Sequence, residues 1–395
     1  MGLITIMKRE IRQLAFRRIY LFMIVIAPVL CFLFFADLFK GGVPVNLPVA
    51  VVDLDNTSVS RSLTRSLDAF GQTEIVMKAE NFTEARKAMQ EGKIYGIFLI
   101  PAHFQRDASS GKEPVLSFYT NDSYILPGSL IYKDMRLQAA LANGAVQRAL
   151  LQAKGMTEPQ LSARLNPVAV DIHPLNNPWL SYAIYLSNIL MPAFISMFAM
   201  FTLVFSIGEE LKRGTACEWM RLSRHSIGVA IAGKGITQLL LFLITGTFCL
   251  VLLYRFLHFP LNSGFFPMFL AMFLLIAASQ GFALLMVGIF PRNRLALSSC
   301  ALWAVLSFSI SGFTFPVRSM PEPMQWFANL FPMRHYFLLY VDQALNGIPM
   351  EYSWSSYVAL GIFILLPVLV LSRLKAQFVR NVYSVSYTHL RAHET

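Results

Sequence analysis

Six long apolar segments constrain the fold of this 395-residue chain more than any other feature of its sequence. A helix of about 20 apolar residues is long enough to cross a hydrocarbon core of about 30 Å. Irregular backbone is not tolerated against lipid, so such segments cross a membrane as helices. The sequence therefore predicts an α-helical polytopic membrane protein, with residues 182–371 forming a five-helix transmembrane domain. The predicted spans are 19–39, 182–207, 236–254, 265–290, 295–315 and 355–371.

The basic residues indicate how these spans are oriented. The chain carries 33 Lys and Arg against 22 Asp and Glu, and the basic residues cluster where apolar segments end. With the N-terminus, 208–235, 291–294 and the tail 372–395 on one side, that side holds 16 Lys and Arg, against 3 in the opposite loops. Such a bias marks the cytoplasmic side. We therefore expect both termini in the cytoplasm, a bacterial inner-membrane location, contacts with membrane lipid and no nucleic-acid partner.

Residues 1–18 have the pattern of an amphipathic helix lying in the plane of the lipid headgroups. Ile4, Met7, Ile11 and Leu14 share one face, and basic residues lie on the other. The apolar segment that follows is too long for the hydrophobic region of a secretory signal, and no clear small-residue cleavage site follows it. We expect an uncleaved anchor that leads into the first span.

A polar region, residues 40–180, separates the first two spans and is long enough to bury its own core. Strand-like and helix-like patterns alternate along it, which predicts an inserted α/β domain. The charge bias places this domain outside the cytoplasm. None of the four cysteines lies in it, so no disulfide framework supports it. The predicted strands are 49–53, 74–78, 94–100, 115–119 and 168–172, and the predicted helices are 58–70, 81–91 and 130–153.

Asp53 and Asp55 follow the first predicted strand and match the first motif of haloacid-dehalogenase-type phosphatases. The Gly-Asp-x-x-x-Asp partner that would hold Mg²⁺ is missing from the sequence. Carboxylates at a strand end commonly cap the next helix, so we expect a structural role, with no catalytic residue and no metal site. The sequence also lacks a Gly-x-x-x-x-Gly-Lys-Ser/Thr phosphate loop, so any ATP chemistry requires a separate chain.

Residues 208–235 form the largest charged connection on the predicted cytoplasmic side. They contain five basic and three acidic residues and a Gly214-Thr215 break. This pattern predicts a short helix–turn–helix that faces water, on which a soluble partner can dock. A solvated connector without a partner has the same composition, and charge alone does not separate the two interpretations.

Polar residues inside the spans are candidates for a transport pathway or a subunit interface. Asn188 and Gln280 are costly to bury, and Ser307 and Ser311 lie in the fifth predicted span. A single Ser is more commonly a helix–helix contact. An ion-driven carrier needs carboxylates or histidines inside its spans, and charged residues are almost absent from the span centres here. The pattern favours an apolar route.

Two segments near the C-terminus do not fit a simple span. Residues 316–354 are too polar and too rich in Pro to cross a membrane, yet they contain apolar clusters. They predict a re-entrant hairpin of two short half-helices entering from the outer side. The end of the tail, SVSYTHLRAHET, resembles a translated cloning scar.

In this order, the features resemble the permease subunit of type-2 ABC exporters, in the subgroup with a large extracytoplasmic domain between the first two spans. Residues 209–218, EELKRGTACE, are similar to the family's Glu-x-Gly-Thr-x-Glu loop, although Arg213 stands where the family often has a small or acidic residue. Residues 51–58, VVDLDNTS, and the outer motifs at 311–316, 320–321 and 331–336 are also similar. The resemblance covers about residues 1–380.

The resemblance implies a half-transporter. Two permease subunits, identical or sibling copies, pair with each other, and each docks a cytoplasmic ABC ATPase that binds ATP and Mg²⁺. The 208–235 segment is then the coupling helix, braced by the N-terminal helix. Members with large outer domains often use a periplasmic adaptor and export drugs, lipids or other hydrophobic cargo. The coupling residues implied are Glu209, Glu210, Lys212, Arg213, Gly214, Thr215 and Glu218.

Two alternatives to ATP-driven export remain open at this point. One is a non-transporting membrane protein whose outer domain binds a ligand, a phage or a cell-wall polymer. The other is an ion-coupled carrier. A neighbouring gene for a phosphate-loop ATPase, or an ATPase that co-purifies with the chain, separates the first alternative from export. Dependence of transport on an ion gradient and not on ATP identifies the second.

Overall fold

The computed structural model describes residues 2–380, apart from 111, 113, 154, 158, 162–172, 174, 179, 180 and 291. The chain forms two compact units. One contains the described residues up to Gly42 together with those after 174, and the other contains Val43–His173. The predicted strand at 168–172 and the tail from 381 onward lie outside the described residues.

The chain begins with helix α1, Gly2–Phe16, which packs on a later span. Its buried face is formed by Ile6, Glu10 and Leu14, whereas Ile4 and Ile11 of the predicted apolar face are more than half exposed. Of the predicted apolar face, Leu14 is thus buried within the chain, and the position of the helix in the headgroup plane remains a prediction. The helix can place Ile6 against this span because Gly233 has no side chain at the contact, where an added Cβ would come within 2.6 Å of Ile6. Ile4 and Ile11 remain available to lipid.

The first span consists of α2 (Arg18–Leu21), a π-helical turn (Phe22–Ile26) and α3 (Ala27–Leu38). Pro28 lacks an N–H, so the carbonyl four residues earlier, on Ile24, loses its helical donor. The hydroxyl of Thr245, from another span, donates to that carbonyl at 3.0 Å. The neighbouring span thus supplies the hydrogen bond that the Ile24 carbonyl lacks, which lipid chains cannot donate.

The Val43–His173 unit contains an α/β arrangement. In its described part, four strands lie in the order β2-β1-β3-β4; β1 pairs parallel with β2 and β3, and β4 pairs antiparallel with β3. Apolar side chains on both sheet faces pack against helices, forming two small cores. The strands and helices in chain order are β1 (Leu47–Asp53), α4 (Ser58–Asp68), β2 (Thr73–Lys78), α5 (Phe82–Gln90), β3 (Gly96–Ile100), α6 (Phe104–Ser109), β4 (Ser117–Thr120) and α7 (Ile125–Ala153).

The carboxylates after β1 are engaged in local hydrogen bonds. Asp53 accepts from the backbone N–H of Asp55 and Asn56, each at 3.0 Å, and from the Ser60 hydroxyl at 2.6 Å. Asp55 accepts from the Thr57 hydroxyl at 2.6 Å and from a backbone N–H in α6 at 3.1 Å. These bonds order the turn into α4, which is the structural role that the sequence indicates for a carboxylate at a strand end.

The remaining helices complete the membrane unit. Within the described residues, six helices are long and apolar enough to cross a membrane: Arg18–Leu38, Tyr182–Lys212, Ile227–Phe256, Phe265–Ile289, Asn293–Ile310 and Met350–Phe378. This confirms the predicted polytopic α-helical fold. Their helical segments and the short helices between them are α8 (Tyr182–Lys212), α9 (Ala216–Leu222), α10 (Ile227–Val251), α11 (Phe265–Ile289), α12 (Asn293–Ile310), α13 (Glu322–Ala328), α14 (Pro332–Leu339), α15 (Trp354–Leu365) and α16 (Leu371–Arg380).

The helices of the second and third spans extend beyond the predicted apolar segments. The second helix continues to Lys212, five residues beyond the end of its predicted span, and the third begins at Ile227, nine residues before the start of its predicted span. The connection between the two helices is therefore residues 213–226, shorter than the predicted 208–235. Glu210 and Lys234, in these helical extensions, are buried.

The predicted re-entrant hairpin contains short helices. Two of them, α13 and α14, are followed by a π-helical turn, Tyr340–Asn346. Phe331 and Tyr336 are buried, and the Phe331 ring lies 4.6 Å from that of Trp303 in α12. The segment therefore packs on the spans through its apolar residues. Its depth in the membrane remains a prediction.

Candidate functional site

The candidate site is the place where α1, the end of α8, the short helix α9 and the start of α10 meet. Gly214 ends α8 with a φ of +70°, a conformation that strains any other residue. Thr215 then leads into α9, and Arg224 and His225, also at positive φ, turn the chain into α10. These two tight turns place α9 between two spans.

Helix α9 has one buried face and one exposed face. Ala216, Trp219 and Met220 are buried, and the Trp219 ring lies 5.2 Å from that of Phe378 in α16. The exposed face carries Cys217, Glu218 and Arg221. A helix of this kind is fixed to its own chain on one side and offers a charged surface on the other.

Glu210, on the last turn of α8, is the centre of a buried ion network. The guanidinium of Arg9 donates to both oxygens of its carboxylate, at 2.7 and 2.8 Å. The Thr215 hydroxyl donates to the same carboxylate, and Lys234 Nζ lies 3.3 Å from it. Gln13, with its amide oriented to satisfy both neighbours, donates to Glu210 at 3.2 Å and accepts from Arg9 at 3.0 Å. Glu210 thus links α1, α9 and α10.

Lys234, on α10, extends the network into the span. Its Nζ lies 2.6 Å from Glu10 Oε2, and both side chains are 1% exposed. The other Glu10 oxygen accepts from the amide of Gln238 at 2.9 Å, and that amide also donates to the Ser206 hydroxyl at 2.9 Å. The Lys234 ammonium also lies 5.3 Å from the Trp219 ring, within the range of a cation–π contact.

An outer layer of ion pairs surrounds these buried charges. Glu209 pairs with Arg17 at 3.0 Å and with Arg213 at 2.7 Å. Burial lowers the pKa of Arg9, but its hydrogen bond and attraction to Glu210 raise that pKa overall, so the guanidinium remains charged.

The network is balanced, because the two buried carboxylates, on Glu10 and Glu210, face two cations, on Lys234 and Arg9. Buried ions are tolerated only when paired and hydrogen-bonded, and removing one partner is strongly destabilising. Four separate chain segments must therefore keep their positions together. The site is a junction of four chain segments joined by ion pairs.

The structure divides the seven predicted coupling residues into two groups. Lys212, Arg213, Gly214 and Glu218 are exposed, whereas Glu209 and Thr215 are partly covered and Glu210 is 3% exposed. Glu210 is thus engaged within the chain, and the expectation that its carboxylate faces water is wrong. The part that each residue plays in coupling remains a prediction.

Sequence reasoning missed Glu10 and Lys234, although a signal for each is present. Glu10 lies midway between Ile6 and Leu14 at four-residue spacing, so it shares their buried face. Lys234 lies on an otherwise apolar helix, eight residues beyond its N-cap Ser226. One acid and one base at such positions predict that the two side chains pair with each other.

The four polar residues predicted in the spans are all buried within the chain. Asn188 donates to the carbonyl of Ile184 in its own helix at 3.0 Å, and Ser311 bonds to the carbonyl of Ser307. Ser307 also lines a cavity of about 20 Å³ between the spans, and Gln280 lines a wider groove of about 360 Å³. Their roles in a pathway or a subunit interface remain predictions.

No group of three metal-ligating side chains is found among the described residues.

Known proteins are similar to this chain over most of its length. Residues 18–373 match the model of a family described as ABC-2 family transporter protein. The linearmycin resistance permease protein LnrN of Bacillus subtilis (strain 168) is 24% identical over 323 residues, which cover 78% of this chain and 82% of that protein. The family match includes five of the six spans in full and ends within the last one. This chain therefore belongs to the ABC-2 family of transporter proteins.

Proposed function

We propose that this chain is the membrane permease subunit of an ATP-driven exporter and that a separate cytoplasmic ABC ATPase docks on α9. ATP and Mg²⁺ are bound by that partner. The family, described as transporters, supports transport over the non-transporting alternative. The main structural support for docking is that α9 is held by buried contacts on one side and carries an exposed charged face on the other.

The buried network gives α9 a mechanical role in this proposal. A displacement of α9 by the ATPase passes to α8 through Glu210, to α10 through Lys234 and to α1 through Arg9, because these charges separate only at a large energetic cost. Coupled movement of packed helices is an ordinary way to switch between two states. The exporter then alternates between inward-open and outward-open arrangements of its spans.

The proposed orientation follows the charge bias of the sequence. Both termini and α9 lie in the cytoplasm, the Val43–His173 unit lies outside, and the membrane is the bacterial inner membrane. A second permease subunit, identical or sibling, completes the transporter. A periplasmic adaptor is a further candidate partner for the outer unit.

The proposed cargo is a hydrophobic or amphipathic compound such as a drug or lipid. LnrN is named as a resistance permease, which supports a small exported compound. The apolar character of the spans supports the same class of cargo. Neither observation selects one compound within it.

The proposal is tested by reversing one exposed charge on α9. We expect Glu218→Lys to reduce co-purification with the proposed partner ABC ATPase, and to reduce ATP-dependent export, because Glu218 is exposed on the proposed docking face. Membrane insertion and yield should not change. Glu322→Lys is the matched control, since Glu322 is also exposed on a short helix but lies at the other end of the spans. Unchanged ATPase binding and export in Glu218→Lys would contradict docking on this face.

A further inference from the structure

A groove of about 360 Å³ opens on the side of the membrane unit, where α10 and α11 meet the last span. Its lining includes Gly228, at the start of α10, and Leu371, at the start of α16. It is distinct from the buried ion network, none of whose charged side chains lines it. All of its walls belong to membrane spans or their immediate ends.

The groove exists because side chains are missing from one wall. A Cβ added to Gly228 would meet no atom within 4 Å, and one added to Gly235 would meet only Gln280 Oε1, at 3.9 Å. These two glycines therefore leave open space. Gly281, also in the lining, differs: a Cβ there would come within 2.2 Å of the Phe363 carbonyl, so that glycine serves close packing of two spans.

The lining offers almost nothing to a polar occupant. Apart from glycines it is formed by apolar side chains and by Gln280. The Gln280 amide, oriented to satisfy both neighbours, donates to the Gly235 carbonyl and accepts from the Leu239 N–H, each at 3.2 Å, so it is already engaged. Water needs two to four polar partners to be held in a cavity. A groove with so few polar partners therefore suits hydrocarbon.

Two basic residues flank one end of the groove. Arg224 lies four residues before Gly228, and Lys375 lies four residues after Leu371 in the same helix, hence on the same face. Both side chains are exposed. In the part of the chain that the structure describes, Arg224 and Lys375 form no ion pair. An apolar groove with unpaired cations at its mouth complements a molecule with a hydrocarbon chain and an anionic head.

We propose that this groove binds an anionic phospholipid, with one acyl chain along Gly228 and Gly235 and the phosphate near Arg224 and Lys375. Bilayer lipid is the occupant to expect in a lateral groove between spans, and the flanking cations select the anionic class. The proposal requires only that the chain crosses a membrane. It does not depend on the ATPase or on the cargo.

The test compares lipids that share acyl chains and differ in headgroup. The full chain is purified in detergent and delipidated, and phosphatidylglycerol or phosphatidylcholine is titrated while bound lipid is counted by native mass spectrometry. We expect phosphatidylglycerol to bind about 30-fold more tightly, from two cations each near the membrane surface. The Arg224→Gln, Lys375→Gln double variant should lose that preference and retain the weaker phosphatidylcholine binding.

The second arm of the test fills the groove with larger side chains. Gly228→Leu with Gly235→Leu should abolish the binding of one lipid of either type. Gly361→Leu is the matched control, because a Cβ there also meets no atom within 4 Å but the residue does not line the groove. Thermal unfolding without added lipid checks that each variant is folded.

Three results would overturn the proposal. They are equal affinity for the two lipids, full binding after the groove is filled, and an equal loss of binding in Gly361→Leu. Since no ATPase takes part, none of these results bears on the proposed export function.

Discussion

Replacing Lys234 by Met tests whether the ion network holds the junction together. The Lys234 and Glu10 side chains are each 1% exposed and lie 2.6 Å apart, so the change leaves a buried carboxylate whose main remaining partner is the Gln238 amide. Breaking a buried ion pair by removing one partner typically costs about 3–5 kcal/mol. Glu10→Gln should cost less, because Lys234 keeps Glu210 at 3.3 Å.

The double variant that combines Lys234→Met with Glu10→Gln tests whether the two charges stabilise each other. With both charges of the pair gone, no uncompensated ion remains and Arg9 still pairs with Glu210, so the double variant should be more stable than Lys234→Met alone. We expect a coupling energy of about 2 kcal/mol or more, typical of residues that share one network. The free energies can be measured by reversible unfolding in mixed SDS and detergent micelles.

An exposed pair provides the control. Arg213 pairs with Glu209 at 2.7 Å, but its side chain is 55% exposed, so Arg213→Met should cost about 1 kcal/mol or less. If Lys234→Met costs no more than Arg213→Met, or if the two single changes at the buried pair simply add, the reasoning from burial is refuted.

Two further predictions concern other parts of the chain. Thr245→Val removes the donor to the Ile24 carbonyl and should destabilise the protein by about 1 kcal/mol in the same unfolding assay. Thr237→Val should cost less, because the Thr237 hydroxyl bonds to a carbonyl of its own helix. Equal costs of the two changes would contradict the role given to Thr245. Burial raises the pKa of Asp134 above its ordinary 3.8, against the opposing effects of Lys133 and local hydrogen bonds. The folded unit therefore binds this proton more tightly than the unfolded chain, so its stability should fall as pH rises from about 3.8 through the raised pKa. Asp134→Asn should flatten that dependence, as measured by urea unfolding followed through hydrogen exchange of α7; an unchanged pH dependence would contradict it.

The sequence predicts the number of spans because hydropathy reflects the free energy of transferring each segment into lipid. It does not predict how far the second and third helices extend, because a charged residue ends an apolar segment in sequence even when an opposite charge lies close to it in space. Glu210 and Lys234 lie just outside the predicted spans, yet they are 3.3 Å apart and buried inside the junction. A hydropathy scale scores residues along the chain and does not detect that pairing.

Short-range contacts in the Val43–His173 unit are easier to predict from sequence than the contacts of the junction. Asn81 caps α5 as predicted, accepting from the Glu84 N–H at 2.9 Å. In a full capping box the Glu84 side chain would accept from the N–H of Asn81. Here it accepts from the N–H of Glu80, one residue earlier. The full capping box occurs instead at α4, between Thr57 and Ser60. Interactions within a few residues can be read from the chain, whereas contacts between distant segments cannot.

The pairing of Glu10 with Lys234 also bears on how the protein is made. The two residues are 224 positions apart, so α1 leaves the ribosome long before its partner is synthesised. Until the third span is in place, Glu10 has to stay in contact with water or headgroups. Docking of the N-terminal helix is therefore a late step of assembly, and it completes the junction only after the spans that form it are inserted.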